Sequence, residues 1–446
     1  MSLHVCKFNL ILVKTTDQIQ DNCRGTTNIS MRTTPNKNKN FLLILLMLTG
    51  SSMLRAQTMN ALVKIALEEN LKLKTADLEY QAAWTKPEQV SQMPDPEVSF
   101  GAFVLPVETR LGAQLFRVGA NQMLPQKGLL NAQRDLAIAK AKTIYTLREA
   151  STYELVYQVK KAYLTLYELK ESQRILDRNI ELFKSLERFA LTKVASGQAT
   201  AADALRAQLR IKALEQQIIE LNGMEVLPQS DLNHYLNRDY DNKFILLEKL
   251  ELAQVPFAEA DIMASFTDDH PLLAAYQQQE IMVDQAIQVN ERENQPALGF
   301  GLDYFLVNGR SDANPANNGR DIVQLRGSIK IPLHQQGYRA KNEEQQIKKE
   351  IIQNQREDLK HEMATQLKKA FADYQTAVTQ YALYEEQIVI VKAALNILQS
   401  EYSNTGKNFD ELLALEKELF DYDLLQLKTI VKSHLAKSQI EQFVVR

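Results

Sequence analysis

PEVSFG at residues 96–101 and PALGFG at residues 296–301 are two copies of one phrase. Their prolines stand 200 positions apart, and Phe100/Phe300 and Gly101/Gly301 keep that offset. Working outward, Leu124-Pro125 answers Ile331-Pro332 at an offset of 207, and Ser196-Gly197 answers Thr405-Gly406 at 209. The offset grows by 7 between Gly101 and Pro125, where the second copy carries a longer loop, Asn308 to Arg320. A duplication of this size sets the architecture before any single element is read. Each copy reads as helix, β-hairpin, very long helix, tight turn, helix.

Between Gln126 and Val194 there is no proline and one glycine, Gly128, so 69 residues can run as one helix roughly 100 Å long. The matching stretch, Gly337 to Ser403, has 67 residues and a similar length, roughly 100 Å. The other helices are predicted near 59–92 and 199–236, and near 268–294 and 408–443. Laid end to end, the two pairs total 72 and 63 residues, each close to one long helix. Each copy therefore builds two helical columns, and the chain builds four. Ala370, Tyr374, Ala377, Tyr381, Tyr384, Ile388, Val391, Leu395, Leu398 and Tyr402 alternate steps of four and three. Val156, Val159, Tyr163 and Leu166, then Leu176, Ile180 and Phe183, do the same in the first copy. Such spacing packs helices nearly parallel along their length. Turns at Ala195–Gln198 and Asn404–Lys407 join antiparallel helices, with Gly197 and Gly406 as left-handed capping residues. The segment from Leu227 to Phe266 is expected to link the copies as a belt around the middle of the rod.

Hairpins are predicted at Glu97–Leu105 with Leu111–Met123, and at Ala297–Val307 with Asp321–Pro332. In the last strand Val323, Leu325, Gly327, Ile329 and Ile331 share one face, and Gln324, Arg326, Ser328 and Lys330 the other. These runs have the length and alternation of membrane-spanning strands. A small soluble sheet capping the helices is the competing reading. Four strands cannot close a barrel, and an open edge cannot sit in lipid, so spanning strands require several chains to pool their hairpins. Two chains would give eight strands; three would give twelve strands and twelve helical columns. Columns about 10 Å apart enclose a lumen roughly 25–30 Å wide, which is a conduit.

Met31, the basic residues Arg32, Lys37 and Lys39, the apolar run Phe41–Leu48 and the sequence Leu54-Arg55-Ala56 form a secretory leader. Translation is expected to start at Met31, with residues 1–30 an upstream extension, and the mature chain to start at Gln57. Cys6 and Cys23 both precede that point. The mature chain is therefore expected to have no disulfide, thiolate metal site, thiol nucleophile or lipid-bearing cysteine. Its 45 Lys and Arg against 53 Asp and Glu give a formal charge of −8, unsuited to nucleic acid. After residue 56 no apolar run approaches the ~20 residues of a membrane helix.

No catalytic constellation emerges, and no cofactor or metal is expected. His361-Glu362-Met363-Ala364-Thr365 lacks the final histidine of a zinc protease motif and falls within a seam-bearing rod. The histidines at 234, 270, 334, 361 and 434 are scattered without ligand spacing. Gly299-Phe300-Gly301 leads into a strand, not a helix, so it is no dinucleotide loop. Tyr153, Tyr157, Tyr163 and Tyr167 read as packing of the tunnel wall.

With the duplication, PDPEVSFG (94–101), QMLPQKG (122–128), SGQATAADALRAQ (196–208) and YSNTGKNFDELLALEKEL (402–419) resemble the TolC-like outer membrane factor family. The resemblance covers nearly the whole mature chain. It implies a mainly α fold with a transmembrane β-barrel: a homotrimer with a 12-stranded barrel and a 12-helix periplasmic tunnel. It also implies the outer-membrane exit duct of an efflux pump or type I secretion system. The partners would be outer-membrane lipid, a periplasmic adaptor (membrane fusion protein) and an inner-membrane transporter. The domain reading is a leader region at 1–56, a first repeat at 57–227, a linker at 228–266 and a second repeat at 267–446. Ser196, Gly197, Ala201, Asp203, Thr405 and Gly406 are the candidate docking tips, where small residues let a partner helix approach closely. The resemblance places an acidic constriction on the stretch holding Asp410 and Glu411, and a turn about a residue short leaves either of the two to face inward. Those two residues equally suit the positive end of a helix dipole. The alternative is a periplasmic adaptor or structural coiled-coil protein, which should show one helical hairpin between β-rich domains.

Overall fold

A computed structural model describes residues 58–256, 258–264 and 270–444. The predicted leader and its cleavage point lie outside them. In chain order the elements are α1 Met59–Glu69, α2 Leu71–Trp84, α3 Lys86–Val90, β1 Glu97–Thr109 and β2 Gly112–Leu124. Next come α4 Leu129–Ala195, α5 Ala201–Met224, α6 Val226–Tyr235, α7 Glu259–Ala264 and α8 Pro271–Glu293. The chain ends with β3 Ala297–Asn308, β4 Ile322–Lys330, α9 Gln335–Thr405 and α10 Phe409–Gln442.

The two long helices have 67 and 71 residues, rods of roughly 100 Å each. Every residue of the ten-membered seam on α9 is buried or half-buried, and so are the seam residues of α4. The short columns depart from the expected continuous helices. The 59–92 stretch breaks at Asn70, whose side-chain oxygen accepts from the N–H groups of Lys72 and Leu73 at 3.0 and 3.2 Å while its amide donates to Tyr235 O. That is an N-cap, so the residue that ends one helix starts the next. Pro87, in the first turn of α3, starts a third piece, at a position where a missing N–H costs nothing. The 199–236 stretch breaks at Glu225, which is buried and paired with Lys170 of α4. Pro228 does not open the linker; it lies in the first turn of α6.

Near the tips α4 packs on both α5 and α10, and α10 packs on α9. Nearer the sheet α4 packs on α2, α3 and α8, and α8 packs on α9. The result is a wall of four columns, with α5 at one edge and α9 at the other. The segment after α6 crosses this wall as a strap. Phe244, Leu246 and Leu250 turn inward at alternate positions of an extended chain. Tyr167 on α4 accepts from Leu250 N–H at 3.0 Å, and Ser433 on α10 accepts from Ala253 N–H at 3.0 Å. Tyr374 on α9 donates to Ala253 O at 3.0 Å and accepts from Val255 N–H at 3.2 Å. Tyr163 likewise donates to Glu248 in the strap, at 3.2 Å. Tyr163 and Tyr167 therefore fasten the strap, a role that seam spacing alone does not reveal.

The strands make one antiparallel sheet in the order β1-β2-β3-β4, leaving β1 and β4 as free edges. β1 runs four residues beyond its expected end because Pro106 falls in an irregularity of the ladder, between Ala102 and Val107. An edge strand tolerates a proline there. Partners across the ladder share a face: Phe100 with Val118, Val118 with Tyr304, Tyr304 with Val323. Leu298, Phe300, Leu302, Tyr304 and Leu306 lie on that face, 43 to 59 % exposed. Ser99, Gly119, Asp303 and Gln324 share the other. A soluble cap would hide the apolar face; here it lies bare while an aspartate is buried behind it. This is the inside-out pattern of a sheet built for lipid.

Candidate functional site

The two turns at the far end of the rod come together as one site. At the first, Gly197 has φ +73°, its N–H bonds Val194 O at 3.0 Å, and Gln198 N–H bonds Lys193 O at 2.9 Å. These two reversed bonds close α4 as a Schellman turn, which needs a left-handed residue and so a glycine. Asp203, at the third position of α5, is 8 % exposed and accepts from Thr200 N–H at 3.2 Å, capping that helix. Ser196, Gly197 and Ala201 remain exposed.

At the second turn Gly406 caps α9 with φ +69°, and Asn408 follows with φ +65° and donates to Glu401 at 2.9 Å. A Cβ on Gly406 would lie 2.1 Å from Gln198 O. Gly406 is thus the point where the second turn presses on the first, and only glycine fits there. Thr405 beside it is exposed and donates back to Glu401 O at 2.9 Å. Lys193 donates to Ser403 O, and Arg206 on α5 pairs with Asp410 on α10. Tyr402 is fully buried under these links, edge-on to Phe189 at 5.4 Å and tilted against Phe409 at 4.8 Å. Burial, reinforced by the nearby Asp203 charge, pushes the Tyr402 hydroxyl up to about 12, so it stays protonated.

The structure therefore separates the candidate residues. Ser196, Gly197, Ala201 and Thr405 face solvent, whereas Asp203 and Gly406 hold the turns themselves. Asp410 is tied to Arg206 of the same chain, while Glu411 is exposed and has no ion pair among the described residues. Sequence reasoning missed Arg206, although it lies in the SGQATAADALRAQ stretch, one helical turn after Asp203. A partner 204 residues away leaves no local signal.

One turn and a half above Asp410, Glu416 occupies a core position of the α9–α10 seam, 3 % exposed, and accepts from Gln399 at 3.1 Å. Burial raises its pKa, and the Gln399 bond opposes this only in part. A carboxyl raised in the folded state holds its proton longer there than in the unfolded chain. Stability is then highest below the unfolded pKa and falls as pH rises through the folded one. Glu416→Gln is expected to raise the thermal midpoint by a few degrees at pH 7.5, with the gain shrinking toward pH 4. An equal gain at both pH values would show that the charge is immaterial.

Among the described residues no three His, Cys, Asp or Glu side chains gather where they could hold a metal, and no helix is long and apolar enough to cross a membrane. Solved structures with this architecture are outer-membrane channels. The chain superposes on a CusC channel with a TM-score of 0.70 at 14 % identity, covering 87 % of this chain and 92 % of that one. The open MtrE channel of Neisseria gonorrhoeae gives 0.68 at 15 % identity, covering 86 % and 88 %. The CmeC channel of Campylobacter jejuni gives 0.69 at 13 % identity, covering 94 % and 93 %. At these identities the likeness carries the fold. No curated protein matches the sequence. The family model for outer membrane efflux proteins matches residues 62–237. That match spans the first hairpin, the first long helix and the first tip, and the likeness to these channels extends the shared fold over the rest of the described chain. The partial family match and the shared fold together support an outer-membrane efflux duct reaching into the periplasm.

Proposed function

We propose that three copies of this chain assemble the duct, with a twelve-stranded barrel in the outer membrane and a twelve-column tunnel beneath it. The observation that carries this reading is that both layers end in unpaired edges above a bare apolar face. β1 and β4 need strand partners before the sheet can enter lipid, and α5 and α9 are the matching edges of the helical wall. The exposed tips would dock a periplasmic adaptor, coupling the duct to an inner-membrane transporter in a tripartite pump or a type I secretion system. An adaptor or coiled-coil scaffold has no use for a bare apolar sheet.

Three-fold symmetry would bring Asp410 and Glu411 of each chain near the axis. A ring of close carboxylates attracts cations and binds multivalent ones, and it needs compensation. Arg206 supplies part of that compensation for Asp410 while tying the second turn to the first. Purified protein in planar bilayers tests duct and constriction together. Wild type should form channels of low conductance that trivalent cations block. Replacing Asp410 and Glu411 by Ala should raise conductance severalfold and weaken the block. Arg206→Ala should raise conductance with the block retained. Absence of any channel would sink the duct, and wild-type behaviour of all variants would reduce the acidic pair to a helix N-terminus.

A further inference from the structure

Asp303 is the outlier of the sheet. It lies mid-strand in β3 between Leu302 and Tyr304, both of which point to the apolar face, and is itself 2 % exposed on the other face. Arg117 of β2 grips one carboxylate oxygen through Nε at 3.0 Å and Nη2 at 2.6 Å. Arg326 of β4 lies 3.8 Å from the other oxygen. Glycines make room for this cluster: a Cβ on Gly119 would lie 2.3 Å from Asp303 Oδ1, and one on Gly301 3.1 Å from Arg326 Nε. Phe305 backs the Arg117 guanidinium, its ring centre 5.9 Å away.

The charges do not cancel. One carboxylate is shared by two guanidiniums, so each chain keeps one net positive charge at this level. Arg117 is 33 % and Arg326 40 % exposed, so the excess faces the water side of the sheet. The nearest other charges on that face, Glu97 and Lys330, are of opposite sign and lie four residues along their ladders. They leave the excess uncancelled. A structural pin for register needs one arginine; the second adds a donor-rich cationic rim.

We infer that Arg117 and Arg326 form, in the assembled barrel, a cationic ring around the bore that binds anionic groups and favours the passage of anionic solutes. The inference rests on the trimeric barrel proposed above. Six guanidiniums and three carboxylates would give the ring a net charge of +3. Guanidinium forks suit phosphate and carboxylate oxygens, and a bore walled by lipid-embedded strands focuses their field. Asp303 is a positioning residue: it draws both arginines to one level and halves the charge they would otherwise show.

Inorganic tripolyphosphate added on the barrel side of single channels reads the ring directly, far from the acidic tips. Wild-type channels should be blocked reversibly. Arg326→Gln, which brings the ring to neutrality, should raise the half-blocking concentration at least tenfold, because three charges about 10 Å away in water contribute about a factor of ten for each unit of negative charge on the blocker. Arg326→Lys should restore the block. Asp303→Asn should strengthen it, because the ring then carries the charge of all six arginines. This opposite sign is something a purely structural role would not produce. Unheated gels confirm that each variant is trimeric. Block by tripolyphosphate that is unchanged in Arg326→Gln, or weakened in Asp303→Asn trimers, overturns the ring. If wild type forms no channel at all, the trimeric barrel itself fails, a distinct result that takes the ring with it.

Discussion

Replacing Ile390 with Asp is expected to abolish trimers while leaving the single chain folded. Ile390 lies on α9, one edge of the four-column wall, and is 68 % exposed in the isolated chain. Leu383 and Ile397 lie seven residues to either side on the same stripe, 52 and 68 % exposed. The opposite edge, α5, presents Leu205, Leu209 and Ile219, 63 to 71 % exposed. Residues seven apart stay on one seam of a supercoiled pair, so in the proposed trimer the two edges would supply complementary halves of a coiled-coil contact. Burying a side chain of this size contributes roughly 1.5–3 kcal/mol, and burying an unpaired carboxylate instead costs more. Symmetry repeats the loss at all three interfaces. On the exposed surface of a lone chain the same substitution is nearly neutral. Unheated gels and native mass spectrometry should show monomers for Ile390→Asp and trimers for Ile390→Leu. Wild-type trimer yield in the Asp variant would mean that α9 does not face a second copy.

Much of this wall is legible in the sequence because helix packing is periodic. The α9 seam follows from steps of four and three, and the second, exposed stripe is the same arithmetic displaced around the helix. The sheet was legible for a related reason: Val323, Leu325, Ile329 and Ile331 alternate with Gln324, Arg326, Ser328 and Lys330. Spacing could not say which face is bare; that needed the buried Asp303 and the exposed Leu302. The links that hold the tips were not legible. Arg206 with Asp410 and Gly406 against Gln198 join residues some two hundred positions apart, and side chains meeting once leave no period to read. The strap is an intermediate case: its position between the copies was readable, but its fastening by Tyr163, Tyr167 and Tyr374 looks in sequence like ordinary seam packing.

Ala201→Trp is expected to eliminate export while trimers assemble normally. Ala201 is the first residue of α5, exposed at the tip, and holds none of the links that build it. Small side chains at a docking surface let helices approach to the close end of the 8–10 Å range, and an indole there forces the partner away. Gly406→Trp tests the same surface less cleanly. Its Cβ would enter the Gln198 carbonyl and break the contact between the turns, so a loss of export would not separate docking from tip collapse. Ser196 and Thr405 complete the exposed surface, and a tryptophan at either should act as Ala201→Trp does if one partner covers both turns. Export in cells with this chain as sole duct, trimer content on unheated gels and cross-linking to the adaptor give three separate readouts. The expected pattern is intact trimers, lost cross-links and lost export, with Ala201→Ser unaffected. Export at the wild-type rate with Trp in place would place the adaptor elsewhere on the duct.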